Sequence, residues 1–261
     1  VGWSHPAAPC GVPSSYAYNV ATVDADLLVL SGTPGFVLDC APLRGRRNII
    51  YKEDAFYIAQ YVGGASIFAI DRFDASVGLL AKNCIGTLPG GHFFPTSDDV
   101  VVFDGSQVKS VLSKRQRRTL FSIIDPTYVF RSFVVPRYAY NEMWFCYPEN
   151  GKTQPNRVLV WNWETGALSD RVLDGITSHA AVGVAAVSSG DQTWNGQTAT
   201  WESINRIWDL RTYSPAFTET LLARAEATAR IKQVDKTNAF AGTNMTSYLE
   251  RTGLSIIGKD R

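Results

Sequence analysis

Apolar residues in this chain come in short runs, either alternating with polar residues or briefly unbroken, and Gly, Pro, Asn or Asp ends each run. That pattern predicts β-strands joined by turns. It is written most fully from Asn141 to Asp174. Met143-Trp144-Phe145-Cys146-Tyr147 is aromatic and apolar without helical spacing, and Pro148, Asn150, Gly151 and Pro155 then make a polar turn that no helix crosses. Val158 to Trp163 is β-branched and aromatic. Glu164-Thr165-Gly166 is a hairpin signal, and Ala167 to Leu173 returns along the sheet. Three consecutive antiparallel strands are expected here.

Other stretches follow the same plan. Lys52 to Gly64 is a charged turn, an aromatic strand and a Gly turn, followed by an apolar strand from Ser66 to Ile70. Asp98 to Leu112 reads as strand, Asp-Gly hairpin, strand. The units recur roughly every 40 to 45 residues, the period of a four-stranded propeller blade. A unit of that size cannot bury both faces alone, so neighbouring units must stack on it. Between them, Tyr16 to Val23 alternates as a first strand, Leu27 to Leu30 reads as a short buried strand, and Phe36 to Cys40 reads as its partner. Phe73 to Asn83 fits a short helix or a loop with a strand, and His92-Phe93-Phe94 fits the inner strand of its unit. Ser113 to Ile124 has a polar start and then Leu120, Phe121, Ile123 and Ile124, which predicts a short connecting helix. Phe130 to Val135 is a strand again, and Ser178 to Val187 is small and apolar, as an inner strand crowded at a hub must be. Ser188 to Ser203 reads as a polar loop and Arg206 to Leu210 as a strand. From Thr220 to Ile231 the residues are helix formers, yet Ala223, Ala225, Ala227 and Ala229 alternate with larger or polar ones, which favours a strand. A last pair of strands is expected between Asn238 and Ile257. The expected fold is all-β and β-propeller-like, about six blades of antiparallel meanders with a short connecting helix. It occupies 16–261 behind a loop or linker at 1–15.

With 261 residues, 45% hydrophobic and 12% aromatic, the chain has material for a large core. Its net charge of +1 gives no global field, so any polyanion contact would be local. No apolar run approaches the roughly 18 to 20 residues that span a bilayer, so no membrane segment is expected. Val1 is not an initiator Met, and Pro6, Pro9 and Pro13 stand where a signal peptide would be apolar, so the chain reads as a piece of a longer one. Cys10, Cys40, Cys84 and Cys146 are far apart and read as reduced thiols, mostly buried. His5, His92 and His179 have no second ligand at metal spacing, and no nucleophile elbow, P-loop or zinc-protease motif is present. Neither a cofactor nor a catalytic residue is therefore assigned. The acidic pairs Asp98-Asp99 with Asp104, Asp24 with Asp26 and Asp71 with Asp74 sit at turns, where Asp replaces backbone hydrogen bonds, although a glycosidase also needs paired carboxylates. Trp144, Trp161, Trp163 and Trp208 lie in strands and are expected to fill gaps between blades, whereas Trp194 and Trp201 flank a polar loop and are candidates for contact with a subunit or a glycan. The densest positive charge is Lys114-Arg115-Gln116-Arg117-Arg118, with Lys109 upstream and Arg131 and Arg137 downstream. Such runs are usually solvated, but Lys114, Arg115, Arg117 and Arg118 are also candidates for contact with an acidic neighbour or with passing DNA.

The order of these features resembles the β-propeller tail proteins of short-tailed bacteriophages, the nozzle or tail-tube adaptor proteins below the portal. The resemblance is carried by Asp98 to Leu112 with its basic link to Ile124-Asp125, by Asn141 to Pro148, by Asn156 to Gly166, by Ser178 to Gly183 and by Leu249 to Leu254. It implies a virion tail component, assembled in the host cytoplasm. Such a protein forms a ring, typically a hexamer, with the portal and other tail proteins as neighbours, around a channel that passes DNA without reading its sequence. It also implies no active site. The alternative is a propeller lectin or glycan-processing protein that recognises a host surface polysaccharide.

Overall fold

The computed structural model describes residues 1–173 except 9, 19, 21, 65, 66 and 75, and beyond them 177–186, 213–225, 230–234, 239–240 and 243–244. The described residues are mostly β and antiparallel throughout, with one α-helix. After a small ribbon of β1 (Gly2–Trp3) and β2 (Asp26–Leu27), three four-stranded meanders follow in chain order. The first is β3 (Val37–Leu43), β4 (Arg47–Lys52), β5 (Phe56–Tyr61) and β6 (Phe68–Asp74), and the second is β7 (Gly86–Leu88), β8 (Gly91–Pro95), β9 (Val100–Phe103) and β10 (Val108–Ser110). Helix α1 (Lys114–Ile123) leads to the third, β11 (Phe133–Arg137), β12 (Glu142–Tyr147), β13 (Arg157–Asn162) and β14 (Leu168–Val172). A three-stranded sheet comes next, β15 (Thr177–Ala186), β16 (Tyr213–Arg224) and β17 (Arg230–Gln233), and then a ribbon of β18 (Ala239–Phe240) and β19 (Thr243–Asn244).

The sheets pack face to face, and strand periodicity explains how. Successive side chains in a strand point to opposite faces, so a sheet between two others must be apolar on both. All of β8 is buried. Phe94 packs against Tyr51 of the first sheet at a ring separation of 4.9 Å, whereas Phe93 stacks on Trp161 of the third at 5.4 Å. In β12, Met143, Phe145 and Tyr147 belong to the core shared with the second sheet, and Trp144 and Cys146 to the core shared with Ala180 and Leu222 of the fourth. First strands meet first strands: β11 contacts β7 on one side and β15 on the other. Gly86 permits that approach, because a Cβ there would lie 2.7 Å from Met143 Sδ. The outer face of the first sheet, with Ile50, Tyr57 and Ala59, is covered by Val1 and Leu30 of the N-terminal segment.

Several strand expectations are corrected. None of the described residues from Tyr16 to Val23 is in a strand, and Tyr16, Tyr18 and Val20 are exposed. Leu27 is exposed and pairs with β1, and the partner of β3 is β4. Gly2–Trp3, within the expected linker, is a strand, and Phe73 to Asn83 is mainly loop after the end of β6. His92 lies in β8, the second strand of its sheet, between β7 and β9. β16 ends at Arg224 and β17 starts at Arg230, so of the alternating alanines Ala223 lies in β16 and Ala225 beyond its end, while Ala227 and Ala229 lie outside the described residues. The sheets begin at Val37, Gly86, Phe133 and Thr177, a repeat slightly longer than the sequence spacing suggests. Among the described residues they do not close on themselves. Arg206 to Leu210, Ser188 to Ser203 and most of Asn238 to Ile257 lie outside the described residues.

Candidate interaction site: the basic helix and its cleft

Helix α1 starts where the chain supplies a complete cap. Ser113 Oγ accepts from Gln116 N, and Gln116 Oε1 accepts from Ser113 N at 3.0 Å, which satisfies two otherwise orphaned donors. It stops at Ile124, which is extended and bridges Glu149. Asp125 fixes the exit, accepting from Thr127 N at 2.8 Å and Gly151 N at 2.9 Å; these bonds hold its carboxyl below the usual carboxylate range, that from Gly151 most of all. Leu120 is buried, and Phe121 and Ile123 pack on the main core, so helical spacing leaves Lys114, Arg115 and Arg118 in solvent.

The four basic candidates are thus not equivalent. Arg117 turns back to Asp99 at 3.3 Å and Asp98 at 4.0 Å, and Asp99 is itself held by Ser110. Lys114, Arg115 and Arg118 have no carboxylate partner among the described residues, and no acidic side chain occupies the first turn of α1. Because the helix N-terminus carries partial positive charge of its own, these cations reinforce it.

Beside the helix, its inner side and the face of β13 and β14 enclose a cleft of about 430 Å³. Leu120, Ile123, Leu159, Leu168 and Tyr147 make its floor, and Arg115 stands at its mouth. Arg157 crosses one end, donating to Asp170 Oδ2 at 2.6 Å and to Glu149 Oε1 at 3.4 Å. Burial pushes the Asp170 carboxyl up against the pull of Arg157, whereas Asn156 and Arg157 hold Glu149 below its usual range. Burial also pushes the Tyr147 phenol well above its usual range. The arrangement offers a wet cationic rim over an apolar floor.

The remaining candidates are spread over the molecule. Trp194, Trp201 and Trp208 lie outside the described residues. Trp144 is fully buried under Arg137 and Arg171, and its Nε1 donates to Glu142 at 2.9 Å; Trp161 lies between sheets, and Trp163 follows β13 against Tyr138. Asp104 accepts from Ser106 and Gln107, which holds its carboxyl low, while Asp24 faces His5 and Asp26 caps Leu27. Cys84 and Cys146 are buried free thiols, but Cys10 and Cys40 are exposed, so burial holds for two of the four. His5 accepts from Asp24 N, and His179 packs on Phe133. Among the described residues no group of three or more His, Cys, Asp or Glu is placed to hold a metal, and no helix is long and apolar enough to cross a membrane. Sequence reading missed the Arg157–Asp170–Glu149 network and the cleft. The available signal was the alternation of Arg157, Leu159 and Trp161, which places them on one face of a strand. No protein-family model and no curated protein matches the chain.

Proposed function

We propose that this chain is a structural component of a short-tailed bacteriophage tail, a propeller-like nozzle or adaptor that assembles as a ring around the DNA exit channel. What carries the reading is the run of three consecutive four-stranded meanders packed face to face, with first strands meeting at β7, β11 and β15, joined to the order of motifs that resembles that family. Of those motifs, Asp98 to Leu112 falls on β9–β10, Asn141 to Pro148 on β12, Asn156 to Gly166 on β13 and its hairpin, and Ser178 to Gly183 on β15, while Leu249 to Leu254 lies outside the described residues. The role is scaffolding, with the portal and tail proteins as neighbours and DNA passing without sequence-specific contact. Since Arg117 is already paired with Asp99, contact with neighbours falls to Lys114, Arg115 and Arg118.

Electron microscopy of the purified protein, alone and mixed with a short-tailed phage portal, tests this. Rings of uniform size, or added density beneath the portal, are the expected result. Particles that remain single copies and leave the portal bare would overturn it.

A further inference from the structure

The cleft beside α1 needs an occupant that is acidic at its rim and apolar at its centre, and the chain carries such a segment on another face. From Asp24 to Val29, Leu27, Leu28 and Val29 are 50%, 40% and 73% exposed, although the segment sits in an ordered ribbon. Asp24 and Asp26 precede them in solvent, and the Asp24 carboxylate lies 3.9 Å from His5 Nδ1, which already accepts from Asp24 N. Within its two-stranded sheet β2 pairs only with β1, which leaves its second edge open. A solvent-facing apolar run with an unpaired edge is a contact surface waiting for a partner.

The two surfaces match term by term. Leu27 to Val29 supply side chains for the floor of Leu120, Ile123, Leu159 and Leu168, and Asp24 and Asp26 supply carboxylates for Arg115 at the mouth and for Lys114 and Arg118 in the adjoining groove that shares Arg115 and Thr119 with the cleft. β14 is the outer strand of its sheet, so main-chain groups at the mouth also lie open. The segment leads into Leu30, which packs on the first sheet, and the cleft borders the third, so none of its residues lines the cleft of its own copy.

We propose that Asp24–Val29 of one copy docks in the α1–β14 cleft of a second copy of this chain. Two different patches that recognise each other make a head-to-tail joint, which closes into a ring when the rotation per copy allows. The inference rests on the ring reading above and names the joint. DNA is a poorer occupant, because the apolar floor offers nothing to phosphate.

The test is a charge swap in the whole chain, followed by mass photometry and sedimentation across salt. All the substituted side chains are exposed, and unchanged near-ultraviolet circular dichroism verifies the fold. Arg115→Glu with Arg118→Glu is expected to weaken self-association by about tenfold or more, and Asp24→Lys with Asp26→Lys to do the same. Carrying both pairs in one chain is expected to restore association to within about threefold of the unsubstituted chain. Leu27→Ser with Val29→Ser weakens association in either charge background. If assembly proceeds with unchanged affinity in every variant, the joint lies elsewhere; the docking is then overturned and the ring reading stands. If reversal weakens assembly but the swap restores nothing, the pairing is overturned. A chain that stays monomeric at roughly 100 µM in low salt overturns joint and ring together. Should a 30-base-pair DNA duplex instead bind the cleft, steeply weakened by salt and abolished by Arg115→Glu with Arg118→Glu, the cleft is a phosphate site and the docking falls.

Discussion

His92 binds its proton at one identifiable nitrogen. Its Nε2 lies 2.9 Å from the Pro42 carbonyl, which can only accept, so Nε2 donates and Nδ1 accepts from the Tyr51 hydroxyl at 2.9 Å. The ring is 1% exposed, and burial holds its pKa below the ordinary value despite the Pro42 bond; Tyr51, pushed up by burial, stays neutral beside it. A group whose folded pKa is depressed stabilises the fold above its unfolded pKa and loses that contribution as pH falls. The unfolded chain takes a proton near pH 6.5, and the folded chain resists it until lower pH. The thermal midpoint is therefore expected to fall between about pH 7 and about pH 5, and to fall less in His92→Gln. Midpoints that change in parallel for the two proteins over that range would remove His92 as a cause.

Helix α1 depends on its cap because little else favours it. Its first turn has no acidic residue to meet the helix dipole, and Lys114 and Arg115 oppose it there. Ser113 and Gln116 offset this by taking up two end donors. Ser113→Ala is expected to cost about 1 kcal/mol in urea unfolding. Ser113→Asp, which keeps an acceptor and adds a charge of the favoured sign, is expected to be at least as stable as the starting protein. If both substitutions cost the same, capping is not what holds the helix start. The same helix forms one wall of the cleft, so its register sets which cations face outward.

The sheets share cores, so the molecule is expected to respond across sheet boundaries. Phe93 belongs to the second sheet but stacks on Trp161 of the third. Phe93→Ala is expected to cost about 3–5 kcal/mol, since a fully buried aromatic leaves a cavity that its neighbours only partly fill. Amide exchange, slowest in β8 and β12 of the starting protein, is expected to quicken in β12 and β13 as well as in β8. Quickening confined to the second sheet would mean that the sheets open independently. The exposed apolar residues of the N-terminal segment belong to the same level of description. They cover the first sheet with Val1 and Leu30 but leave Leu27 and Val29 outside, an arrangement suited to a body with a neighbour.

Local chemistry determined a good deal by itself. The hairpin at Glu164-Thr165-Gly166 needed a residue with positive φ, and Gly166 has φ of 72°. The strands on either side, the Asp104-Gly105 hairpin and the helix start at Ser113 were legible for the same reason: each is fixed by residues a few positions apart. Tertiary contacts decided what such short windows cannot hold. Tyr16, Tyr18 and Val20 have a strand's alternation but no sheet edge to join, and β16 ends at Arg224, inside an alternation of alanines that their periodicity alone would continue. Arg117 and Arg118 are neighbours in a uniform basic run, yet one meets Asp99 just before β9 and the other is exposed. The cleft itself arises from a helix set against the face of strands far along the chain, and Arg157, Asp170 and Glu149 become a network because β13 and β14 bring them together. Charge and hydrophobicity are properties of residues; which of them remain unmatched is a property of the packed chain.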